Sequence, residues 1–294
     1  MVATYGLLVF GASVRVHGAG LACPDWPLCF GEVIPPVDFH VGLEFGHRVI
    51  AGLVSLGFLG LSAAVLRDRR RWGAQATVVI GLAAVTLAVQ VVLGGLTVLR
   101  LLAEWTVTSH LLAGNTFCLL LLVLTLTLRE RVAPVTRAPV AAASRWLAVG
   151  IAALVPVQLA LGGWVSSSFA GLACGTWPTC DGVTWFPSFS GPVGLQVVHR
   201  LVGYTLLLLA VVAAIVGRGR GSAGRAAAAV ALAVVAQAAI GVANVLLRLP
   251  VEITLAHTAG AAAVVLSVTW SNWEVWRAPV RAASPAREPA LEVR

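Results

Sequence analysis

Four histidines fall into pairs: His47 and His110 in the first half of the chain, His199 and His257 in the second, each inside or at the mouth of a long apolar block. Ionisable side chains are rare at membrane depth and mark function there. Each lies within two turns of the same end of its block, so the partners of a pair share one level on two parallel helices. Two facing imidazoles of a helix bundle can supply both axial bonds to a haem iron. Small residues flank them (Ala51, Gly52, Gly114, Gly203, Gly260 and Ala261), leaving room for a flat macrocycle. Arg48 and Arg200 each follow a histidine and are candidate partners for propionates. The plainer alternatives are interhelix hydrogen bonding and a zinc or copper site. Pairing in depth and duplication argue against the first. Nothing at that depth in both halves supplies third and fourth ligands for the second.

One carboxyl group stands beside one pair only. Glu44 precedes His47 by three residues and shares its helix face. The equivalent residue before His199 is Gln196, nearly isosteric but unable to ionise. A carboxyl at the edge of the pocket can take or give protons; a water-facing residue favoured by the helix N-terminus is an equal reading of position alone. The difference points to a reactive N-terminal site and a resident C-terminal one. Two Cys-x5-Cys pairs, Cys23/Cys29 and Cys174/Cys180, fall in loops on the histidine side. An oxidising outer face makes each a local disulfide, a staple shaping a cover above a site, with a redox part for Cys23/Cys29 as the sharper alternative. Cys118 reads as a small buried hydrophobe.

The elements that must position these groups are membrane helices. The 294 residues are 59% hydrophobic and 11% charged, with mean hydropathy +0.92. A soluble domain is nearer ~45–50% apolar and ~25% charged. The net charge of +8 is therefore no nucleic-acid footprint, and no nucleic-acid partner is expected. Apolar blocks at roughly 2–16, 44–66, 74–99, 105–128, 146–166, 194–217, 226–247 and 253–273 predict eight spans. The first is short, with thirteen residues from Val2 to Val14 before Arg15. Fifteen of the twenty arginines fall in the 2–3, 4–5 and 6–7 loops and the tail. That side is the cytoplasm, and both termini lie there.

Self-similarity divides the chain. Ala19-Gly-Leu-Ala-Cys23 recurs as Ala170-Gly-Leu-Ala-Cys174, His47-Arg48 as His199-Arg200, and Gln90 and Gln237 each precede the next histidine by twenty residues. The expected fold is all-α integral membrane, eight transmembrane helices in two tandem pseudo-symmetric four-helix bundles. Residues 1–128 form the N-terminal unit (the reactive site), 129–145 a cytoplasmic linker and 146–275 the C-terminal unit (resident haem). Residues 276–294, rich in Pro, Ala, Arg and Glu, form a disordered tail.

Ala12-Ser-Val-Arg15 leading into Gly18-Ala-Gly-Leu-Ala-Cys-Pro-Asp-Trp-Pro-Leu-Cys29, then Glu44-Phe-Gly-His47-Arg48, Thr108-Ser-His110, Val198-His199-Arg200-Leu-Val-Gly203 and Leu255-Ala-His257 resemble the haem A synthase family over about residues 5–275. The resemblance implies a bacterial plasma-membrane enzyme that oxidises the C8 methyl of haem O to a formyl group by successive hydroxylations. It implies that His199 and His257 ligate a resident haem b and that His47 and His110 bind haem O. It makes Glu44 the catalytic carboxylate and Cys23 and Cys29 a functionally important loop pair. Membrane lipid surrounds such a protein, and a haem O-producing enzyme is a candidate neighbour; the electron acceptor and oxygen source are not specified by these residues. The competing function is a quinol-linked two-haem electron-transfer cytochrome b, both haems permanent. A haem transporter is a third, needing no catalytic carboxylate.

Overall fold

In hydrocarbon every backbone N–H and C=O must find a partner inside the chain, so uninterrupted apolar blocks fold as helices. The computed structural model describes residues 1–281. Its α-helices are α1 Val2–Val16, α2 Phe39–Arg67, α3 Arg69–Leu99, α4 Glu104–Val132, α5 Ala142–Ser167, α6 Gly191–Gly217, α7 Gly221–Leu246 and α8 Val251–Arg277, with a short 3₁₀ turn at Ala170–Leu172. Among the described residues seven helices are long and apolar enough to cross a membrane. The eighth, α1, has 15 residues and at ~1.5 Å per residue falls short of ~30 Å of hydrocarbon. Helix α3 is broken at Gly73, φ +80°, a conformation glycine adopts without cost; the membrane-length segment starts beyond it.

Neighbours in sequence pack side by side, α1 on α2, α3 on α4, α5 on α6 and α7 on α8, and α1 with α4 and α5 with α8 complete each group. Within a group the diagonal partners, α2 with α4 and α6 with α8, make no extended contact. Those are the helices that carry the histidines. Apolar side chains fill the other end: Phe58, Ile80, Phe117 and Leu124 in the first group, Ile151, Leu206, Val230 and Val265 in the second. The groups meet where α4 touches α5 and α8, and α1 touches α8. A groove of about 470 Å³ follows that seam, lined by residues such as Leu119, Pro156 and Val265.

At the arginine-rich end the connection between α4 and α5 locks the groups together. Arg137 lies between Glu130 of α4 and Glu274 of α8, with Nε donating to Glu274 Oε2 at 2.9 Å. Glu130 also accepts from Trp273 Nε1 at 2.6 Å and from Arg277 at 2.9 Å, and Ser222 of α7 donates to Glu274 at 2.5 Å. Burial works against the Arg137 charge, but the hydrogen bonds and charges of Glu274 and Glu130 outweigh it and raise its pKa. Residues 276–281, placed in the expected tail, are held to the rest of the chain. Trp276 and Arg277 are the last turn of α8. Val140 N–H donates to Pro279 O and Arg281 N–H to Val140 O, both at 2.9 Å. The rest of the expected tail lies outside the described residues.

Candidate functional site

The site is built from glycines upward. Each histidine ring rests its Cε1 edge where a glycine of the preceding helix lacks a side chain. A Cβ on Gly11 would stand 2.9 Å from His47, on Gly94 3.1 Å from His110, on Gly162 3.1 Å from His199 and on Gly241 2.9 Å from His257. Real Cβ atoms do not approach so closely without displacing the ring. The sequence reading named other small residues and missed these four. The repeat carried the signal: Gly11 and Gly162 are 151 residues apart, as are Cys23 and Cys174, and Gly94 and Gly241 are 147 apart, as are His110 and His257. Next to Gly162, Gly163 receives Thr108 and Leu111 of α4, with Thr108 Cγ2 3.1 Å from where a Cβ would sit. The two groups thus meet closely at the level of the histidines.

Three histidines have a glutamine beside them. Gln90 Nε2 is 3.3 Å from His110 Nε2, Gln158 Nε2 is 3.5 Å from His199 Nε2, and Gln237 Nε2 lies 3.3 and 3.4 Å from the two ring nitrogens of His257 while donating to its backbone oxygen at 2.9 Å. His47 has none. The α1 residue matching Gln158 is Leu7, and the ring near His47 is Phe10, 6.1 Å between centroids. The Nδ1 atoms of His47, His110 and His199 are buried without a hydrogen-bond partner. Orphaned buried nitrogens are uncommon and call for an explanation such as an ion or ligand. Among the described residues no three His, Cys, Asp or Glu side chains gather as a metal-binding group. A pair of imidazoles on diagonal helices whose backbones stay apart therefore suits a metal that brings its own equatorial ligands, which is what a haem is. Ring protonation and tautomer are set by such a partner.

Above each pair lies a disulfide loop. Cys23–Cys29 and Cys174–Cys180 are both bonded, with Cα atoms 4.8 and 4.3 Å apart, and all four cysteines are buried. Cys118 is free and buried. Glu44 is 5% exposed, so it does not face water. Its Oε2 accepts from Cys23 N–H at 2.9 Å and its Oε1 from Arg48 Nη2 at 2.6 Å. Arg48 donates onward to the oxygens of Asp25 (2.8 Å) and Leu28 (2.5 Å). Across the repeat Gln196 donates to Gly171 O at 2.7 Å, and Arg200 to Cys174 O at 2.7 Å and Thr179 O at 3.3 Å. Both arginines proposed as propionate partners are engaged by loop carbonyls. Inside each loop an aspartate turns the chain. Asp25 accepts from Phe30 and Gly31 N–H at 2.7 and 2.8 Å, Asp181 from Val183 and Thr184 N–H at 2.9 and 2.5 Å. Those N–H groups, Gly31 first for Asp25 and Thr184 first for Asp181, hold both carboxyls below the usual range.

The turns from α3 to α4 and from α7 to α8, at the same end of the bundle, repeat too. Leu101 and Leu102, and then Arg248 and Leu249, take positive φ of 50° to 64° in the turns before α4 and α8. Left-handed backbone at non-glycine residues costs energy and persists where surroundings impose it. Here Leu102 and Leu249 side chains pack against Gly20 and Gly171 at the base of the disulfide loops, 3.4 and 3.0 Å from where a Cβ would stand.

Comparison with known proteins follows the same residues. The family model described as COX15-CtaA, cytochrome oxidase assembly protein, matches residues 1–41 and 38–269. A haem A synthase of Shewanella oneidensis is 31% identical over 94% of this chain and 94% of its own. Haem A synthases of Halalkalibacterium halodurans (31%, 71% of this chain, 70% of its own) and Symbiobacterium thermophilum (36%, 66% and 65%) are similar over shorter stretches.

Proposed function

The chain belongs to the COX15-CtaA family of cytochrome oxidase assembly proteins, and from that premise we propose how its two histidine pairs divide the work. It is a multi-pass membrane oxidoreductase of haem A biosynthesis that converts haem O to haem A, and it binds haem. On our reading His47 and His110 bind the substrate haem O, and His199 and His257 hold a resident haem b. The observation that carries the assignment is the difference between Glu44 and Gln196 on otherwise matched scaffolds. Among the described residues only the N-terminal site has a buried carboxylate one turn before its first histidine.

The resident haem b, when bound, supplies one-electron redox chemistry beside the substrate site. The protein's own residues do the rest. The glycine seats fix the ring planes of the four histidines, so a haem meets ligands already oriented. Glu44 stands between the Arg48 guanidinium and the Cys23 amide, a placed acceptor for protons leaving the C8 substituent as it is oxidised. Gln196 occupies the same place in the C-terminal site and can hydrogen-bond but not ionise. Apolar side chains below the histidines exclude water from the macrocycle. Cys23–Cys29 and Cys174–Cys180 act as staples that hold the loops over the sites, and Arg48 and Arg200 clamp those loops to α2 and α6. By the arginine asymmetry, the disulfide end faces out and both termini face the cytoplasm.

The test is to purify the protein from cells that also make haem O, extract its non-covalent haems and identify them by chromatography and mass. Wild type should yield haem b with haem A, and Glu44→Gln should yield haem b with accumulated haem O. Haem A made at the wild-type rate by Glu44→Gln would overturn the carboxylate assignment. Two equivalents of haem b alone would favour the quinol-linked cytochrome.

A further inference from the structure

The two disulfide loops carry matched tryptophans, Trp26 and Trp177, and these dock on different helices. Trp26 lies on α3, where Gly95 leaves space for its ring: a Cβ there would stand 3.0–3.2 Å from it. The matching α7 residue is Val242, which has a branched side chain where Gly95 has none. Trp177 instead donates its Nε1 proton to the hydroxyl of Tyr204 on α6 at 3.0 Å. The α2 residue matching Tyr204 is Gly52, and a side chain added there would meet nothing within 4 Å. Both differences run the same way, the N-terminal half having glycine where the C-terminal half has tyrosine on one helix and valine on the other.

The helices respond. The N-terminal loop is bound to α2 through Glu44 and Arg48 while its Trp26 leans on α3, so the indole bridges their ends. Below it α2 packs only lightly on α3, whereas α6 runs closely along α7. Ala84 and Val91 of α3 are exposed where their counterparts Ala231 and Ala238 of α7 are partly covered. Glycines in membrane helices usually permit close approach of a neighbour, but Gly52 touches none. The open flank begins five residues after His47, whose buried Nδ1 lacks a partner.

We propose that the gap between α2 and α3, beneath Trp26 and beside Gly52, is the lateral portal through which the substrate haem enters from the bilayer, and that the Trp177–Tyr204 bond is the seal that closes the same route to the resident haem. This rests on the assignment of haem O to the N-terminal pair. The chemistry fits the route. A haem is a flat, largely apolar ring that partitions into lipid, and the disulfide loop covers the vertical approach. A substrate must come and go each turnover, and a resident cofactor must not.

The test transplants the seal. Gly52→Tyr with Gly95→Val copies the C-terminal pair into the N-terminal site. Protein in nanodiscs, depleted of substrate but retaining haem b, is mixed with haem O and its binding followed by absorbance. The double variant should take up haem O about tenfold more slowly or worse, as expected for a gate, with the final amount and the haem b spectrum unchanged; the retained haem b reports that it folds. In the converse variant, Tyr204→Phe, haem b should be lost to an acceptor vesicle faster than in wild type. Uptake at the wild-type rate in the double variant overturns the portal. So does a change in particle mass with that variant, which would make the α2 flank a contact between copies. His110→Ala separates the two ideas: if it binds haem O normally, the N-terminal assignment has failed, whatever the portal does.

Discussion

The two halves of this chain use the same backbone devices for different ends. Both seat imidazoles on glycines, both staple a loop with a six-residue disulfide spacing, and both clamp that loop with the arginine that follows a histidine. They part at side chains around the two histidine pairs. Glu44 faces Gln196, Leu7 faces Gln158, and Gly52 faces Tyr204. Leu7 and Gly52 leave the N-terminal site less hydrogen-bonded and more open, and Glu44 leaves it more acidic. On the function proposed above, the matched halves keep the parts that would aim ligands and differ in the parts that would govern access and proton traffic.

The largest expected effect breaks the pair symmetry outright. His110→Ala should abolish haem A formation while haem b remains at about one equivalent per chain, because the diagonal pair loses one axial ligand only in the N-terminal site. His257→Ala should instead remove haem b. Haem extraction and quantification on both variants checks the comparison, and loss of haem b from His110→Ala would reverse the two halves.

Next comes the joint between them. Arg137 is 5% exposed by side chain and pairs with Glu130 of one half and Glu274 of the other. Removing one partner of a buried ion pair costs about 3–5 kcal/mol. Arg137→Leu should therefore lower the thermal midpoint in detergent and loosen the N-terminal half, where α4 is held, and the C-terminal half, where α8 is held. A drop in stability with both haem contents intact would show that the joint serves cohesion alone.

A smaller and more selective effect comes from the seats. Gly94→Ala puts a Cβ 3.1 Å from His110, and Gly241→Ala puts one 2.9 Å from His257. Overpacking of this kind costs about 1–3 kcal/mol, here as rotation of one ring off its axis. Gly94→Ala should weaken haem O binding at equilibrium and leave haem b alone; Gly241→Ala should do the reverse. Equal effects of either variant on both haems would mean that the seats set bundle packing and not ligand aim.

Much of this was legible in the sequence, and the gaps have physical reasons. Apolar blocks mark helices wherever the surroundings are lipid, so the ends of α2, α4 and α6 fall within a turn or two of where hydropathy puts the spans. Histidine pairing was readable because an ionisable residue in an apolar block is rare. The disulfides followed from spacing. Glu44 was seen but its environment was not: position alone left it equally at the pocket's edge or facing water, and its burial depends on a loop twenty-one residues earlier folding back to offer the Cys23 amide. The glycine seats were hidden for a related reason. Glycine is common in membrane helices, with 30 in this chain, and its meaning lies in what approaches it. Gly11 and Gly52 look alike in sequence, yet one is filled by a histidine ring and the other by nothing. The Arg137 joint belongs to the arginine-rich loops, which hydropathy reads only as charge. Its partners Glu130 and Glu274 are distant in sequence and meet only once the helices have packed.

The finest test of the comparison is the pH response of the two loops. Asp25 and Asp181 each accept two backbone N–H bonds, and each carboxyl lies below its ordinary value in the folded protein. A group with a depressed folded pKa contributes stability that is present above its unfolded value, about 3.9 for an aspartate, and is lost as pH falls through the lower folded value. Both side chains are at the surface, so the effect is small and best read by difference. Thermal unfolding in detergent, followed from neutral pH down past the aspartate range, should show a loss that Asp25→Asn and Asp181→Asn each flatten. The Asp25 loop is tied to Glu44 and Arg48, whereas the Asp181 loop is tied to Gln196 and Arg200. Acidification should therefore loosen each loop through its own aspartate: protection from hydrogen exchange of the Phe30 and Gly31 amides, and of the Val183 and Thr184 amides, should fall with pH in wild type. Amides that stay protected in both loops down past the aspartate range would mean that neither carboxyl holds its loop.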